Sequence, residues 1–261
     1  MEYTFISGAT GGLGKAFSVE CAKKNCNLFL TGRSQEKLDK LKEELTKNYG
    51  VSVECFACDL TSENERKKML DYIKSSGVIF NRILFVAGVD TQKAFIDYTE
   101  EKLLFQLKVN VESTVMLTKS LLSYRAEKLE ILAVSSMSSV SPMPYFQVYS
   151  ATKALITNLF TSLHYELKDK GVKVTVVLPG GIPTRPDIIE DIKGQGLWGK
   201  LSSMPADKVA TKSLKALSKN KVKYIPGFFN KFLNFIMAIA PKRVVLKFIA
   251  NRWKKQTKDA F

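Results

Sequence analysis

The sequence predicts an α/β protein in which helices cover both faces of a parallel sheet, within a single doubly wound domain. Three observations predict this class. Short apolar runs alternate with longer segments that place apolar residues three or four positions apart. A glycine-rich stretch separates the first apolar run from the first helical segment. The chain has 261 residues, 45% of them hydrophobic, which is enough for one large domain.

Seven apolar runs are predicted as strands, which gives a sheet of about seven strands: Tyr3–Ser7, Asn27–Thr31, Ser52–Ala57, Arg82–Val86, Glu130–Ser135, Lys173–Leu178 and Lys223–Ile225. Helices are predicted from Lys15 onward and over Ser34–Tyr49, Glu63–Ser75, Glu101–Tyr124, Gln147–Lys170 and Ala206–Ser218. Strands joined by helical crossovers are parallel, and the crossovers are right-handed. Residues 180–205 are the one stretch predicted to be irregular, at the carboxyl edge of the sheet where such folds bind ligands.

The formal net charge of +15 is concentrated at the C-terminal end of the chain. Residues 221–261 contain ten Lys or Arg and one Asp, which accounts for +9 of the total. Neither interleaved aromatic residues on a basic surface nor a helix-turn-helix pattern accompanies this charge, so no nucleic-acid partner is expected. The N-terminus lacks the pattern of a cleaved signal peptide, and a cytoplasmic location is therefore expected.

The cysteines and the single histidine do not form a metal-binding pattern. Cys21, Cys26, Cys55 and Cys58 include one Cys-x-x-Cys, but there is no second pair and His164 stands alone. We expect no metal site and reduced cysteines that pack in the interior. The odd spacing between Cys55 and Cys58 on a strand directs them to opposite faces. His164 is expected to be a packed helix residue.

The glycine-rich turn after the first strand is typical of a loop that binds nucleotide phosphates. Gly8, Gly12 and Gly14 form a Gly-x-x-x-Gly-x-Gly pattern, with Thr10 and Leu13 inside it. Glycines let backbone N–H groups at the start of a helix approach a pyrophosphate. The turn predicts a Rossmann-type dinucleotide site, although the same glycines would also suit a tight connection without a ligand.

The end of the second strand indicates which dinucleotide binds. Arg33 and Ser34 follow Thr31 and Gly32, and no acidic residue is present there to bind the 2′-hydroxyl of NAD. A guanidinium can instead pair with the 2′-phosphate of NADP(H). NADP(H) is therefore the predicted cofactor; the alternative is that Arg33 is an ordinary solvated residue at a helix start.

Tyr149 and Lys153 lie four residues apart near the start of a predicted long helix, and therefore on one face. An adjacent ammonium favours the phenolate and brings the pKa of a tyrosine closer to neutrality, which suits proton transfer. Ser136 follows the fifth predicted strand, at the edge where this helix begins. By itself, the Tyr-x-x-x-Lys spacing is also common for a surface pair.

Taken together, these motifs resemble the short-chain dehydrogenase/reductase family over about residues 3–226. The resemblance rests on the glycine turn, Asp59-Leu60, Val109-Asn110-Val111, Ser136, Tyr149 with Lys153, and Pro179-Gly180 with Thr184. It implies an NADP(H)-dependent oxidoreductase that interconverts ketones and secondary alcohols, similar to the branch that acts on long-chain 3-oxoacyl groups and hydroxysteroids. It also implies a homo-oligomer.

The family's residue roles carry over to the matching positions. Tyr149 would donate a proton to the carbonyl oxygen, Ser136 would hydrogen-bond the same oxygen, and Lys153 would lower the pKa of the phenol and bind the nicotinamide ribose. Asn110 would hold a water that connects Lys153 to solvent, Asp59 would approach the adenine, and Thr184 would contact the carboxamide. The remaining cofactor-binding positions that the resemblance implies are Leu60, Ala87, Gly88, Pro179, Gly180 and Ile182.

Two positions depart from the family pattern. The usual Asn-Asn-Ala-Gly after the fourth strand is Phe85-Val86-Ala87-Gly88 here, so the amide contacts that tie this strand to its neighbour are missing. Ser139 stands where a glycine is frequent. These departures concern the geometry at the cofactor edge and leave the reaction class intact.

The C-terminal segment is both basic and apolar, and the chain is therefore divided into a dinucleotide-binding and catalytic domain, residues 1–226, and a basic amphipathic helical extension, residues 227–261. The apolar stretch 228–240 is too short to span a bilayer. The extension either contacts a membrane surface peripherally, or caps the substrate pocket or packs on another subunit. For the whole chain, an NAD-dependent alcohol dehydrogenase and a cofactor-binding regulator without turnover are the alternative functions.

Overall fold

The computed structural model describes residues 1–254, and within them a seven-stranded sheet forms the centre. The strands are β1 (Glu2–Ser7), β2 (Asn27–Gly32), β3 (Val53–Ala57), β4 (Ile79–Phe85), β5 (Arg125–Val134), β6 (Val172–Val177) and β7 (Lys223–Tyr224). They lie in the order β3-β2-β1-β4-β5-β6-β7, and all neighbouring pairs are parallel. The predicted doubly wound α/β class is confirmed.

Helices cover both faces of the sheet and also form the C-terminal extension. They are α1 (Gly12–Ala22), α2 (Gln35–Tyr49), α3 (Glu63–Ser76), α4 (Glu100–Leu107), α5 (Ser113–Leu121), α6 (Gln147–Glu166), α7 (Pro186–Gly194), α8 (Gly196–Ser202), α9 (Ala206–Ser218), α10 (Phe228–Ile239) and α11 (Lys242–Trp253). Side chains of α1, α2 and α9 pack against one face, and those of α3, α5 and α6 against the other.

The strands are apolar along their length because both sides of the sheet are buried. In β1, Phe5 packs into the layer beneath α3, α5 and α6, whereas its neighbour Ile6 packs into the opposite layer. The Phe5 ring meets the ring of Phe80 edge-on at a centroid distance of 5.7 Å. This alternation also separates the two cysteines of the Cys-x-x-Cys pair: Cys55 packs against one layer and Cys58 is buried in the other, as the strand spacing predicted.

Residues 101–124 are helical, as predicted, but they do not form one regular α-helix. The chain forms α4, then a π-helical turn over Lys108–Glu112, then α5, and ends in a 3₁₀ turn at Leu122–Tyr124. A π turn inserts extra residues without disturbing the apolar spacing on either side, so helical periodicity does not detect it. It has a consequence for the site, because Asn110 lies within it.

The interpretation of residues 180–205 as irregular is also wrong, because α7 and α8 occupy most of this stretch. Pro186 is the first residue of α7, a position that suits its fixed φ angle. Both helices are shorter than three turns, and so few residues establish no clear period in the sequence.

Element boundaries differ from the predictions where polar residues extend an element. The ladder between β4 and β5 begins at the pair Phe80 and Arg125, so β5 starts before the predicted Glu130. The first helix begins at Gly12 rather than Lys15, because the extended residue Gly11 is its N-cap. The long helix α6 ends at Glu166 and is followed by a 3₁₀ turn up to Lys170.

The C-terminal extension forms α10 and α11, joined at Pro241. The predicted domain boundary at residue 226 falls between β7 and α10. Residues 255–261, which belong to the predicted extension, lie outside the described residues. Within residues 1–254, no helix is long and apolar enough to cross a membrane.

Candidate active site

The carboxyl ends of β1 and β4 form the crevice at which the strand order reverses, and the glycine turn lies in this crevice. Gly8 has a φ of +67°, and a Cβ at this position would lie only 2.8 Å from the Cα of Ala87, which follows β4. A Cβ on Gly12 would lie 2.6 Å from the Cβ of Thr184. The turn therefore needs glycine for its backbone conformation and for the close approach of two other predicted site residues.

The first helix begins without a side-chain cap. Gly11 is the N-cap of α1 and supplies no side-chain hydrogen bond. The first N–H groups of a helix carry partial positive charge and have no hydrogen-bond acceptor within the helix. This helix start is therefore suited to a phosphate group, and the glycines keep side chains away from it.

At the end of β2, Arg33 is exposed and Ser34 caps α2 by accepting a hydrogen bond from the Lys37 amide at 3.3 Å. Thr10 of the glycine turn lies next to this corner, since a Cβ on Gly32 would approach its Oγ1 to 3.1 Å. The glycine turn and the predicted 2′-phosphate site are thus neighbours.

Asp59 and Leu60, which were predicted to approach the adenine, occupy the end of β3. The Asp59 carboxylate accepts hydrogen bonds from the amide and the hydroxyl of Thr61, both at 2.9 Å. Leu60 is buried in the core. Neither residue lines the large cavity described below.

Ser136, Tyr149 and Lys153 converge on one cavity of about 610 Å³ at the carboxyl edge of the sheet. Ser136 follows β5 in an extended conformation, and its hydroxyl accepts a hydrogen bond from the Ser138 amide at 3.1 Å. Lys153 lies one turn after Tyr149 on α6, with its Nζ 5.6 Å from the centre of the tyrosine ring. The predicted residues Leu13, Gly88, Pro179, Gly180, Ile182 and Thr184 line the same cavity.

Asn110 lies beside Lys153 but uses its amide in a different way from the predicted one. Its Oδ1 accepts a hydrogen bond from the Val89 amide at 2.8 Å, and its Nδ2 donates to the Val89 carbonyl at 2.8 Å and to Thr152 Oγ1 at 3.1 Å. The π turn presents this side chain to the loop after β4. Asn110 therefore fixes that loop against α6, and the water-holding role stays a prediction.

Burial controls the protonation of the two central groups. The Lys153 ammonium is buried and donates to the Val134 carbonyl at 3.0 Å; burial lowers its pKa to about 8, an effect that the nearby Asp90 carboxylate partly opposes. Burial and Asp90 raise the pKa of Tyr149 above its usual value, although a Ser136 hydrogen bond and Arg185 act in the opposite direction. The net shift of the Tyr149 pKa is therefore upward, opposite to the expected lowering, and Lys153 is not among the groups that cause it.

Sequence reasoning missed Asp90 and Arg185, which both line the cavity. An Arg185 Nη2 lies 3.5 Å from Asp90 Oδ1 and 3.2 Å from Asp187 Oδ2. Asp90 follows Ala87-Gly88 by two residues, so its position at the carboxyl edge of β4 was the available signal.

The two departures from the family pattern have local compensations. The Ser7 hydroxyl accepts hydrogen bonds from the amides of Val86 and Ala87, at 3.1 and 3.3 Å, and so ties β1 to the end of β4. Ser139 donates to the Ser136 carbonyl at 2.7 Å and accepts from Thr157 at 3.0 Å. This bond pair holds the turn that carries Ser136 against α6.

The C-terminal extension forms part of the cavity wall. Residues of α10 and α11 that line it are Asn230, Leu233, Ile236, Met237, Val244, Val245, Phe248, Ile249, Arg252 and Trp253. The Trp253 ring stacks on Phe146 at 5.7 Å, and Phe146 stacks on Tyr149 at 4.5 Å. Of the alternatives considered for the extension, the structure therefore shows contact with the predicted substrate pocket.

Other candidate residues are structural. His164 is buried, and its Nδ1 lies 2.7 Å from the Val174 carbonyl, which agrees with its prediction as a packed residue. All four cysteines are free, and burial raises the pKa of Cys21, Cys55 and Cys58. Residues 1–254 contain no cluster of three or more His, Cys, Asp or Glu side chains arranged to hold a metal ion.

Comparison with known proteins gives matches over most of the chain. A model of the short chain dehydrogenase family matches residues 2–189. The very-long-chain 3-oxoacyl-CoA reductase of Bos taurus is 32% identical over 229 residues, which are 84% of this chain and 70% of that protein. The hydroxysteroid dehydrogenase-like protein 1 of Gallus gallus is 30% identical over 70% of this chain and 56% of its own length.

Solved structures share the fold. A structure described in work on 7beta-hydroxysteroid dehydrogenase stereoselectivity superposes with a TM-score of 0.85, covering 95% of this chain and 96% of that one, at 24% identity. The L-sorbose reductase of Gluconobacter frateurii, solved with NADPH and L-sorbose, has a TM-score of 0.77 over 87% of this chain and 95% of its own, at 21% identity.

Proposed function

The chain belongs to the short-chain dehydrogenase family of oxidoreductases, and from this premise we propose that it transfers a hydride between NADP(H) and a ketone or secondary alcohol of apolar character. The observation that carries the proposal is the convergence of Ser136, Tyr149 and Lys153 on one cavity beside the glycine turn. The test is NADPH oxidation by the purified protein with a panel of apolar and small polar ketones. Absence of turnover with every ketone would favour the regulator without catalysis.

The residues around the crevice suit a dinucleotide. The uncapped start of α1 and the glycine contacts would accommodate the pyrophosphate, and Lys153 and Thr184 border the cavity where a nicotinamide and its ribose would lie. Bound NADPH supplies the hydride. Asp59 and Leu60 at the end of β3 would border the adenine.

The protonation states of Tyr149 and Lys153 are compatible with proton donation to a ketone. A raised pKa keeps the Tyr149 phenol protonated at neutral pH, and the protonated phenol is the form that donates a proton to a ketone oxygen. The Ser136 hydroxyl would hydrogen-bond the same oxygen as negative charge develops on it. Lys153, with a pKa of about 8, is mostly protonated at pH 7 and stabilises the negative charge that Tyr149 acquires when it releases its proton.

The cavity lining supports an apolar substrate, such as a 3-oxoacyl chain or a hydroxysteroid. Apolar side chains from the described helices line it, namely Ile188, Ile192, Trp198, Leu233, Met237, Phe248 and Trp253. The relatives named above are described as acting on 3-oxoacyl-CoA or as hydroxysteroid dehydrogenase-like, which agrees with this lining. A small polar ketone would leave much of this apolar surface uncovered.

Arg33→Asp is expected to shift the cofactor preference from NADP toward NAD. The change removes the cation proposed to pair with the 2′-phosphate and supplies an acceptor for the 2′-hydroxyl. Loss of a charged hydrogen bond lowers the NADP-to-NAD ratio of kcat/KM by about ten- to a hundredfold. Lys40→Asp, on the exposed side of α2, is the matched control. An unchanged ratio in Arg33→Asp would mean that the phosphate binds elsewhere and would favour the NAD-dependent alternative.

We further propose that the outer face of α10 contacts the surface of an anionic membrane. Phe228, Phe232, Phe235 and Ile239 form one exposed stripe on this helix, on the side away from Leu233 and Met237 in the cavity. The two helices of the extension also carry exposed cations, at Lys231, Lys242, Arg243 and Lys247. Apolar side chains next to cations suit the boundary between headgroups and acyl chains. The cytoplasmic location and the homo-oligomer stay predictions.

Replacing Phe228, Phe232 and Phe235 together with serine is expected to lower co-sedimentation with vesicles of phosphatidylcholine and phosphatidylserine by at least about tenfold. The variant lacks the three exposed rings that the proposal buries in the membrane surface. The matched control is Ile96→Ser, which removes another highly exposed apolar side chain from a different part of the chain. Binding by the wild type should weaken with salt. Equal sedimentation of the wild type with and without vesicles would contradict the proposal.

A further inference from the structure

Arg252 is a cation in the wall of a mostly apolar cavity, whose lining also includes the carboxylates of Asp90 and Asp191. It lies near the end of α11, is half-buried and lines the cavity. Its guanidinium lies 5.0 Å from the centre of the Trp198 ring, and its Nη2 donates to Gln195 Oε1 at 3.2 Å. The ring and the amide hold the planar group in one orientation, and most of its five N–H donors have no protein acceptor among the described residues.

The other cavity arginine has a different environment. Arg185 forms ion pairs with Asp90 and Asp187, so its charge is balanced within the protein. Within residues 1–254, Arg252 has no carboxylate partner. Burial lowers the pKa of Arg252, whereas the acidic neighbours of Arg185 raise that of Arg185. A partly desolvated cation without a counter-charge is costly, and a ligand anion would offset that cost.

The residue after Arg252 is connected to the candidate catalytic residues through a row of stacked aromatic rings. The next residue on α11, Trp253, stacks on Phe146, which stacks on Tyr149. Side chains of Phe248 and Leu233 lie along the same wall. Arg252 contacts Gln195 and Trp198, at the start of α8, and not the glycine turn. We therefore assign Arg252 to the part of the cavity that would hold the substrate.

We propose that Arg252 determines specificity by binding the carboxylate at the far end of an elongated apolar substrate whose reacting carbon lies at Tyr149. A guanidinium offers a carboxylate two parallel hydrogen bonds, and this planar fork is already oriented by Trp198 and Gln195. The inference rests on the proposed function and deepens it: the substrate is an amphiphile, with a keto or hydroxyl group distant from an anionic end.

The test uses the two tryptophans of the chain, Trp198 and Trp253, which both line the cavity and therefore report its occupancy by fluorescence. Decanoate is titrated below its critical micelle concentration and decanol below its solubility limit; the two share a chain length and differ in charge. The wild type is expected to bind decanoate at least about tenfold more tightly than decanol. Arg252→Gln is expected to lower decanoate affinity by about ten- to a hundredfold.

Two further variants make the result specific. Arg243→Gln removes an exposed cation from the same helix and is expected to keep the preference for decanoate. Arg252→Lys retains the charge without the planar guanidinium and is expected to keep part of the preference for decanoate over decanol. It provides a second test if Arg252→Gln does not fold. Isothermal calorimetry on the same proteins checks the fluorescence values.

The outcomes separate this inference from the proposed function. If the wild type binds decanoate no better than decanol, or binds neither, or if Arg252→Gln folds and keeps the preference, the role of Arg252 is refuted. If the preference depends on Arg252 while NADPH is oxidised with no ketone, the anion site stands and the proposed reaction fails. If both hold, adding a terminal carboxylate to a ketone substrate should raise kcat/KM in the wild type but not in Arg252→Gln.

Discussion

Replacement of Tyr149 by phenylalanine is expected to lower kcat for ketone reduction by about a hundred- to ten-thousandfold, the range that a positioned general acid contributes. The substitution removes only the hydroxyl that carries the transferred proton. The ring, which stacks on Phe146 at 4.5 Å, is kept, so the cavity wall and the fold should persist. Affinity for NADPH should change little, because the glycine turn and Arg33 are untouched.

The measurement is steady-state turnover of an apolar ketone together with NADPH binding by fluorescence. Tyr165→Phe is the matched control, since Tyr165 is an exposed tyrosine on the same helix α6. Retention of activity within a few-fold of wild type in Tyr149→Phe would refute the assignment of the proton donor.

Lys153→Met is expected to have the second-largest effect, and on two properties at once. Turnover should fall by about a hundredfold or more, because the charge that stabilises a deprotonating Tyr149 is lost, and NADPH affinity should fall with the proposed ribose contact. The free energy of unfolding of the cofactor-free protein should rise at neutral pH, because the substitution removes a buried ammonium.

The sign of the stability effect follows from the lowered pKa of Lys153. In the unfolded chain the lysine titrates at its usual pKa of 10.5, but in the folded protein it titrates at about 8. Between these values Lys153 binds more protons in the unfolded state, so its own contribution to stability rises with pH above 8, and the wild type gains stability relative to Lys153→Met. The full shift corresponds to roughly 3 kcal/mol, most of which should appear between pH 8 and 10.

Urea unfolding of wild type and Lys153→Met at several pH values below 10 measures this difference. The buried cysteines and Tyr149, whose raised pKa values lower the stability at alkaline pH, are present in both proteins and therefore cancel in the comparison. Lys168→Met, which removes an exposed lysine just after α6, is the control and should follow the wild type. Identical slopes for wild type and Lys153→Met would mean that Lys153 is not buried as a cation, and normal NADPH affinity in Lys153→Met would refute the ribose contact.

The fold and the convergence of the candidate catalytic residues on one cavity could be predicted because both depend on local pattern. Buried parallel strands require continuous apolar runs, and these located all seven strands within a few residues. The close approach of Gly8 to Ala87 and of Gly12 to Thr184 requires glycine, which made the turn visible in the sequence. A spacing of four residues on one helix placed Tyr149 and Lys153 on a common face.

Other features depend on contacts between segments far apart in the chain, which no local pattern records. The π turn places the Asn110 amide where it binds Val89 and Thr152, and the helical spacing within α4 and α5 does not record it. Likewise, the raised pKa of Tyr149 follows from burial and from Asp90, not from Lys153, its nearest charged neighbour on α6.

The sequence by itself determined the class of the fold, the glycine turn and the candidate residues for the reaction, because backbone geometry and helical spacing impose residue types at fixed intervals. Only the tertiary structure decided that α10 and α11 form a wall of the cavity and that Trp253 reaches Tyr149 through Phe146. It also decided which cavity arginine is balanced by carboxylates and which, Arg252, has no carboxylate partner within residues 1–254. Burial and charge balance are properties of the packed chain, because they depend on which distant side chains exclude water from a group.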